Sequence, residues 1–127
     1  MISKRLLPVL AIGALLAACE TPPPPTRADP RLILTPAVAS LSVGEPVVNS
    51  GPDGRLRVNV DIFNGNGFDF PLRYQTDWLD ETGRPISTLQ SRPAFRSLAR
   101  TTITTIDADA PAPRARDFRM TLDADTR

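Results

Sequence analysis

The sequence predicts an all-β fold, an antiparallel β-sandwich, and three observations lead to it. Apolar and polar residues alternate along residues 56–62, 72–78 and 118–122, and a period of two is that of a strand with one buried face. Clusters of turn-forming residues recur about every 8–15 residues, as they do in small all-β domains. No stretch of about ten residues has the apolar period of an amphipathic helix.

Before residue 54 the sequence predicts only short strands. Residues 32–34 form a first candidate, which Pro36 ends because proline has no backbone N–H to donate to a sheet. Residues 38–43 form a second candidate, followed by a turn at residues 44–46. Residues 49–54 read Asn-Ser-Gly-Pro-Asp-Gly, which is typical of a turn.

The two clearest strands flank a loop rich in asparagine and glycine. The apolar face of the first strand consists of Leu56, Val58, Val60 and Ile62. The corresponding face of the second consists of Leu72, Tyr74, Thr76 and Trp78. Phe63 interrupts the alternation, and residues 64–69 suit a hairpin loop because asparagine and glycine tolerate positive φ. We expect the two strands to pair antiparallel and to direct their apolar faces into the same core.

Residues 80–83 predict a short turn between strands. Pro85 indicates that the next strand, residues 86–89, is short or lies at an edge. An irregular crossover begins at residue 92, and we expect it to bury Leu98.

Two more strands follow that crossover. Residues 100–106 are rich in threonine and isoleucine, whose branched side chains suit a pleated surface, and residues 107–113 end this strand. The last strand carries its apolar residues at alternate positions, and residues 123–127 form a polar tail. Those apolar residues are Phe118, Met120 and Leu122.

A tryptophan on a central strand, here Trp78, is typical of immunoglobulin-like folds, so the prediction is an antiparallel immunoglobulin-like β-sandwich. The chain has one cysteine and therefore lacks the disulfide of antibody domains. The comparison concerns architecture alone, and a small closed barrel is the alternative.

The N-terminus has the order of a secretory signal: Lys4 and Arg5, then an apolar run, then Leu16-Ala17-Ala18-Cys19. The run of about 13 residues is shorter than the ~20 that a transmembrane helix needs. This sequence resembles a bacterial lipoprotein signal, which implies a diacylglycerol on the Cys19 sulfur, cleavage before Cys19 and acylation of the new amino group. The alternative is a secreted protein with a free, exposed thiol.

These features divide the chain into a signal peptide (residues 1–18), a lipidated cysteine with a proline-rich linker (residues 19–30) and a β-sandwich domain (residues 31–127). Four consecutive prolines favour polyproline II, so the linker could hold the domain about 30 Å from the lipid. The resemblance also implies that Glu20, where aspartate would retain a lipoprotein at the inner membrane, favours the periplasmic face of the outer membrane.

Composition narrows the function. Without Lys4 and Arg5 the 15 basic residues fall to 13 arginines against 14 acidic residues, so nucleic-acid binding is not expected. The chain has no histidine, and lipidation would occupy its cysteine, which excludes catalytic sites built on either residue and disfavours zinc. We expect no enzyme activity, no cofactor, no metal and no small-molecule substrate.

Two clusters of acidic residues could indicate a functional site, and each also has a simpler structural interpretation. Asp61, Asp69 and the loop of residues 64–67 offer several oxygens, but the register of a calcium loop fails and a hairpin loop is preferred. Asp77, Asp80 and Glu81 could serve a cell-wall glycan hydrolase, although turns commonly carry exposed acids. Tyr74 and Trp78 are expected in the core and not in a sugar-binding platform.

A family resemblance rests on the strand that ends at Asn64 and on the run containing Tyr74, Trp78, Asp80 and Gly83. These residues, after a proline-rich lipoprotein start, resemble the YcfL-like family of small periplasmic lipoproteins. The resemblance implies a β-sandwich without an established catalytic activity. It also implies that members of the family sometimes occur beside lipoprotein activators of peptidoglycan synthases.

The resulting hypothesis is a membrane-anchored, non-enzymatic interaction or accessory module of the cell envelope, near the peptidoglycan synthesis machinery. Phe68 and Phe70 are poorly explained by alternation, so we expect an apolar patch there that contacts an envelope protein. The alternatives are the carboxylate-based glycan hydrolase and a purely structural envelope spacer.

Overall fold

The computed structural model describes residues 29–88 and 91–127. The leader, Cys19 and most of the linker lie outside the described residues. No helix in the described part is long and apolar enough to span a bilayer. Apart from one turn of 3-10 helix at Pro36–Val38, the described elements are strands. The strands are β1 (Leu32–Leu34), β2 (Leu41–Val43), β3 (Val47–Ser50), β4 (Leu56–Asn64), β5 (Phe70–Leu79), β6 (Pro85–Ile86), β7 (Ala94–Leu98), β8 (Thr102–Asp109) and β9 (Asp117–Ala124).

The strands form two sheets. In the first sheet the order is β1, β9, β5, and both β6 and β7 pair with the remaining edge of β5. In the second sheet β4 is central, with β8 on one side and with β2 and β3 on the other. All pairs are antiparallel except β1 with β9, which is parallel. The predicted all-β sandwich is confirmed.

The core lies between the sheets and draws on both. Val58, Val60 and Ile62 of β4 are fully buried against residues of β5 and β9. Trp78 packs on Phe118 with ring centroids 6.2 Å apart and an interplanar angle of 55°. Each such side chain contributes about 1.5–3 kcal/mol through removal from water, so this layer is the main source of stability.

The predicted pairing of β4 with β5 is wrong. The two strands belong to different sheets, where β4 pairs with β8 and β5 pairs with β9. Both apolar faces do reach one core, but from opposite sides. Alternation determines which face of a strand is buried and leaves its neighbour undetermined. Residues 65–69 therefore connect the two sheets and do not form a hairpin loop.

Several boundaries also differ from the prediction. β7 is a strand where an irregular crossover was expected, although Leu98 at its end is fully buried as predicted. β8 continues to Asp109 because its register with β4 is unbroken as far as Arg57. β6 has two residues only, and β2 begins after the 3-10 helix that occupies the start of the predicted strand.

The turn predicted at residues 80–83 is confirmed. The Asp80 carboxylate accepts hydrogen bonds from the backbone N–H groups of Thr82 and Arg84, each at 2.9 Å. The Thr82 hydroxyl donates to the same carboxylate, and these bonds lower the pKa of Asp80. Gly83 has φ of +82°, a conformation that glycine adopts without strain. The turn joins β5 to β6 as a hairpin.

Replacement of Leu98 by alanine should destabilise the sandwich by about 2–5 kcal/mol, because the side chain is fully buried and its removal leaves a cavity. Urea unfolding followed by tryptophan fluorescence would measure the change. Val47→Ala, at an exposed position of β3, is the matched control and should change stability by less than about 0.5 kcal/mol. Equal losses in the two variants would contradict the assignment of Leu98 to the core.

Candidate interaction surface

The connections define two ends of the sandwich. Residues 110–116 join the end of β8 to the start of β9, next to the start of β1, so the chain enters at this end. We call it the proximal end, and it also carries loops 51–55 and 80–84. Residues 65–69 and 99–101 join the sheets at the opposite, distal end. The site where the chain enters and the loop with Phe68 are therefore at opposite ends.

The chain is held firmly where it enters the proximal end. Arg31 bonds both carboxylate oxygens of Asp29, at 3.0 and 2.8 Å, and its guanidinium lies 4.8 Å from the centroid of the Phe118 ring. The hydrogen bonds from Arg31 lower the pKa of Asp29 to about 2. The Arg31 carbonyl accepts the N–H of Met120 at 2.8 Å, which continues the pairing of β1 with β9. These contacts fix the point at which the linker leaves the sandwich.

The distal end is organised around the buried side chain of Asn64. Its amide nitrogen donates to the carbonyls of Phe68 and Leu98, both at 3.0 Å. Its amide oxygen accepts the backbone N–H of Asn66 at 3.0 Å. Leu98 ends β7 in the first sheet, whereas Asn64 ends β4 in the second. One amide therefore links the two sheets and fixes the loop of residues 65–69.

Further bonds attach this loop to its neighbours. The Asn66 side chain donates to the Ser40 hydroxyl at 3.0 Å. The Asp69 carboxylate accepts the backbone N–H of Arg100 at 3.1 Å. The loop is therefore tied to the segment before β2 and to the connection between β7 and β8.

The two phenylalanines of the predicted patch lie in different environments. Phe68 is 57% exposed in the distal loop. Phe70 is 6% exposed and belongs to the core, because it has the same parity along β5 as the inward-facing Leu72. The expectation of a surface patch is corrected for Phe70. Contact of Phe68 with a partner stays a prediction.

Two exposed apolar residues were not anticipated as surface candidates. Phe63 is 41% exposed and Ile103 is 64% exposed, and they are directly opposite each other in the pairing of β4 with β8. Both lie on the outward face of the second sheet. The signal was present in the sequence, since Phe63 has the parity of Arg57 and Asp61, which are exposed.

The oxygens considered for a cation are used within the protein. Asn64 binds Asn66, Asp61 accepts the Thr105 hydroxyl and Asp69 accepts from Arg100. Among the described residues, no group of three or more His, Cys, Asp or Glu side chains is arranged to hold a metal ion.

Two of the acids considered for glycan hydrolysis, Asp77 and Asp80, accept hydrogen bonds within the protein. Asp80 is engaged in its turn, and Asp77 accepts a bond from Gln75 at 3.2 Å on the outward side of β5. A slot of about 320 Å³ opens between the sheets beside β5 and β8. Its lining residues include Tyr74, Trp78, Arg92 and Asp107, and none of the acids Asp77, Asp80 and Glu81.

Comparisons with known proteins agree with this architecture. A family model described as "Protein of unknown function (DUF1425)" matches residues 35–124. The crystal structure of cj0090 from Campylobacter jejuni is similar over 76% of this chain and 100% of that chain, with 21% identity and a TM-score of 0.69. A DUF1425 family member from Shewanella sp. is similar over 68% and 80% of the two chains, with 17% identity and a TM-score of 0.60. No curated protein matches the chain. Identities this low support the fold alone.

Asn64→Ala should destabilise the protein by about 2–3 kcal/mol, because it removes the donor to two carbonyls and leaves the buried one unpaired. Amide hydrogen exchange of residues 65–69 should become faster in the same variant. Asn66→Ala is the control: its side chain is only half-buried, and we expect a loss below about 1 kcal/mol. The same loss from both substitutions would argue against a special role for Asn64.

Proposed function

The chain belongs to the DUF1425 family, and we propose that it acts as a lipid-tethered, non-enzymatic interaction module of the cell envelope. The observation that carries the proposal is the placement of the exposed Phe68 loop at the end of the sandwich remote from the point where the chain enters. A tether at one end leaves the other end free to meet a partner.

The tether in this proposal is Cys19, lipidated after removal of residues 1–18. Its support is the order of a charged segment, an apolar run and Leu16-Ala17-Ala18-Cys19. Two acyl chains or more bind a bilayer nearly permanently, since each buried methylene contributes about 0.8 kcal/mol. We place the protein on the periplasmic face of the outer membrane, in line with Glu20 after the cysteine.

The mechanism we propose is positioning. The linker between Cys19 and the described sandwich contains four consecutive prolines and could extend about 30 Å as polyproline II. Strands of eight residues add about 26 Å. Phe68 can therefore reach a partner up to about 55 Å from the lipid surface. Confinement to the membrane raises the effective concentration of such a contact, so a weak interaction suffices.

The partner we propose is a protein of the cell envelope. The resemblance to YcfL-like lipoproteins supports a place near the peptidoglycan synthesis machinery. The distal loop suits a protein contact because Phe68 offers an apolar anchor while bonds through Asn64 keep its backbone in place. A preorganised loop loses little conformational entropy on binding.

The tether is tested by replacing Cys19 with serine in the full chain. We expect the wild type to incorporate labelled palmitate and to sediment with the outer membrane, and Cys19→Ser to lose the label and leave that fraction. Thr21→Ser, two residues further on, is the control and should behave as wild type. An unchanged membrane distribution of Cys19→Ser would contradict the proposal that Cys19 carries the lipid tether.

The contact is tested by photocrosslinking in intact cells from position 68, with position 53 in a proximal loop as the control. We expect one discrete crosslinked product from position 68 and none from position 53. The purified Phe68→Ser variant should no longer capture the envelope protein that crosslinks to position 68. Its stability should change by less than about 0.5 kcal/mol, since Phe68 is exposed. Phe70→Ser should instead lower stability by about 3 kcal/mol. Unaltered capture by Phe68→Ser would rule out this loop.

A further inference from the structure

The outer edge of β8 carries backbone groups without partners in the described structure. The N–H of Ala110 donates to the carbonyl of Leu56 at 2.8 Å, and these residues continue the register of β8 with β4. In an antiparallel ladder every second residue faces the same neighbour, so Thr104, Ile106 and Ala108 also face β4. The N–H and C=O groups of the alternate residues then point away from β4. These residues are Ile103, Thr105, Asp107 and Asp109.

A second bond confirms this assignment of sides. The N–H of Gly44 donates to the carbonyl of Asp61 at 2.8 Å, so the odd-numbered residues of β4 face β2 and not β8. Among the described residues no strand pairs with the outer edge of β8, and no hydrogen bond reaches the outward backbone groups. The edge is therefore a row of four donors and four acceptors ready to pair with an extended chain.

Over residues 102–106 this edge also lacks the features that normally protect one. The other edge strands are shorter: β1 and β2 have three residues each, β3 has four, β7 has five, and β6 has two, including Pro85. β8 has eight residues, Thr-Ile-Thr-Thr-Ile-Asp-Ala-Asp, without proline, lysine or glycine. Natural sheets usually shorten, charge with lysine or interrupt exposed edges. A long, regular edge is typical of a strand that pairs with a strand of another chain.

Exposed apolar side chains lie beside the same edge. Ile103 is 64% exposed on β8, and its direct neighbour on β4, Phe63, is 41% exposed. A strand added to β8 would lie directly beside Ile103. Phe63 is on β4 and lies one strand further from the added strand. The apolar pair therefore extends the region of contact from the backbone edge onto the outward face of the sheet.

Charge indicates what the added strand is. Arg100 immediately precedes β8, and Asp107 and Asp109 lie near its end. Arg100 also lies 3.6 Å from Asp69, and Asp109 lies 3.0 Å from Arg57, but both ion pairs are exposed and leave the arginine and the aspartates accessible to a second chain. A copy of β8 laid antiparallel would bring the arginine of each chain to the aspartates of the other and keep the two acidic ends apart. A parallel copy would place like charges side by side, which is destabilising. The strand is thus complementary to itself in the antiparallel direction.

We propose that β8 pairs antiparallel with β8 of a second copy, around a two-fold axis at Thr104. Ile103 then pairs with Thr105 of the second copy, so that outward backbone groups meet outward backbone groups. The Phe63–Ile103 pairs of the two copies become adjacent and form one apolar strip. The two sheets that contain β4 join into a single continuous sheet across the dimer.

Pairing through β8 depends on neither Cys19 nor Phe68. The contact is a single strand edge and is smaller than a standard stable interface, so we expect dissociation constants in the micromolar range for the protein in solution. Confinement of both copies to a membrane would favour the dimer further.

Disulfide trapping tests the proposed axis. Thr104 would face Thr104 of the second copy in a pair without mutual hydrogen bonds, where Cα atoms are about 4.5 Å apart, within the range of a disulfide. The chain from residue 20 to residue 127 contains the whole described sandwich and no cysteine of its own. In it, Thr104→Cys should form a covalent dimer under mild oxidation, and Ser97→Cys, exposed on the other sheet, should not. Equal dimer yields would overturn the axis.

Sedimentation equilibrium of the same chain tests the pairing itself. Arg100→Asp and Asp107→Arg should each weaken the dimer about tenfold, and the double variant should return to within about threefold of wild type. Asp107 is preferred to Asp109, which already bonds Arg57 at 3.0 Å. A foreign partner strand at this edge would give a monomer at all concentrations and no rescue. A protein that stays monomeric at about 1 mM overturns the proposal.

A proline substitution separates edge pairing from folding. The N–H of Thr105 points away from β4, so Thr105→Pro removes no backbone hydrogen bond from the sandwich. It removes only the exposed hydroxyl bond to Asp61, so the fold should stay intact. It removes a donor at the centre of the proposed pair and should abolish dimerisation. Thr104→Pro is the opposite case, because that N–H faces β4, and it should destabilise the monomer. A Thr105→Pro variant that dimerises as wild type does would contradict the proposed edge.

Discussion

The burial of β4 and β5 face to face, in opposite sheets, is the constraint on which the other features depend. Each strand has one apolar face, and packing the faces across a core removes both from water. The chain between them must then cross from one sheet to the other at residues 65–69. At this crossing the carbonyls of Phe68 and Leu98 lie close to the end of β4, and the amide of Asn64 donates a hydrogen bond to each of them. The loop that presents Phe68 is thus a consequence of how the sheets are divided.

Sequence patterns predicted which residues are buried better than which strands are neighbours. Val58, Val60 and Ile62 are inside as expected, and so are Phe118, Met120 and Leu122. The partner of β4 could not be predicted, since both β5 and β8 satisfy its alternation. β7 was missed because its sequence, Ala-Phe-Arg-Ser-Leu, places Phe95 at the surface and only Leu98 in the core. A strand this short contains too few residues to show a clear apolar period.

The same difference between burial, which the sequence predicts, and strand pairing, which it does not, applies to the candidate surfaces. Counting parity along β5 from Leu72 would have assigned Phe70 to the core, and counting along β4 would have assigned Phe63 to the surface. Ile103 and Ile106 are three residues apart and must lie on opposite faces of a strand, so one of them had to be exposed. The free edge of β8 is different in kind. It depends on the order of strands in the sheet, which the local sequence does not encode.

Tether and edge pairing impose a joint geometric requirement. A two-fold axis between antiparallel β8 strands is perpendicular to the sheet, so the proximal ends of the two copies lie at opposite ends of the pair. Asp109 at the proximal end of β8 lies five residues from Thr104, so the two proximal ends are separated along the strands by about ten residues, some 33 Å. If both chains are anchored in one membrane, equal linkers require the sheets to lie along the bilayer, with the axis normal to it. A linker of about 30 Å permits this arrangement, whereas a tether of a few residues would hold each sandwich upright and keep the β8 edges parallel. Linker length and edge pairing are therefore coupled, and the two Phe68 loops would lie near the middle of the pair, because β8 begins only two residues before Thr104.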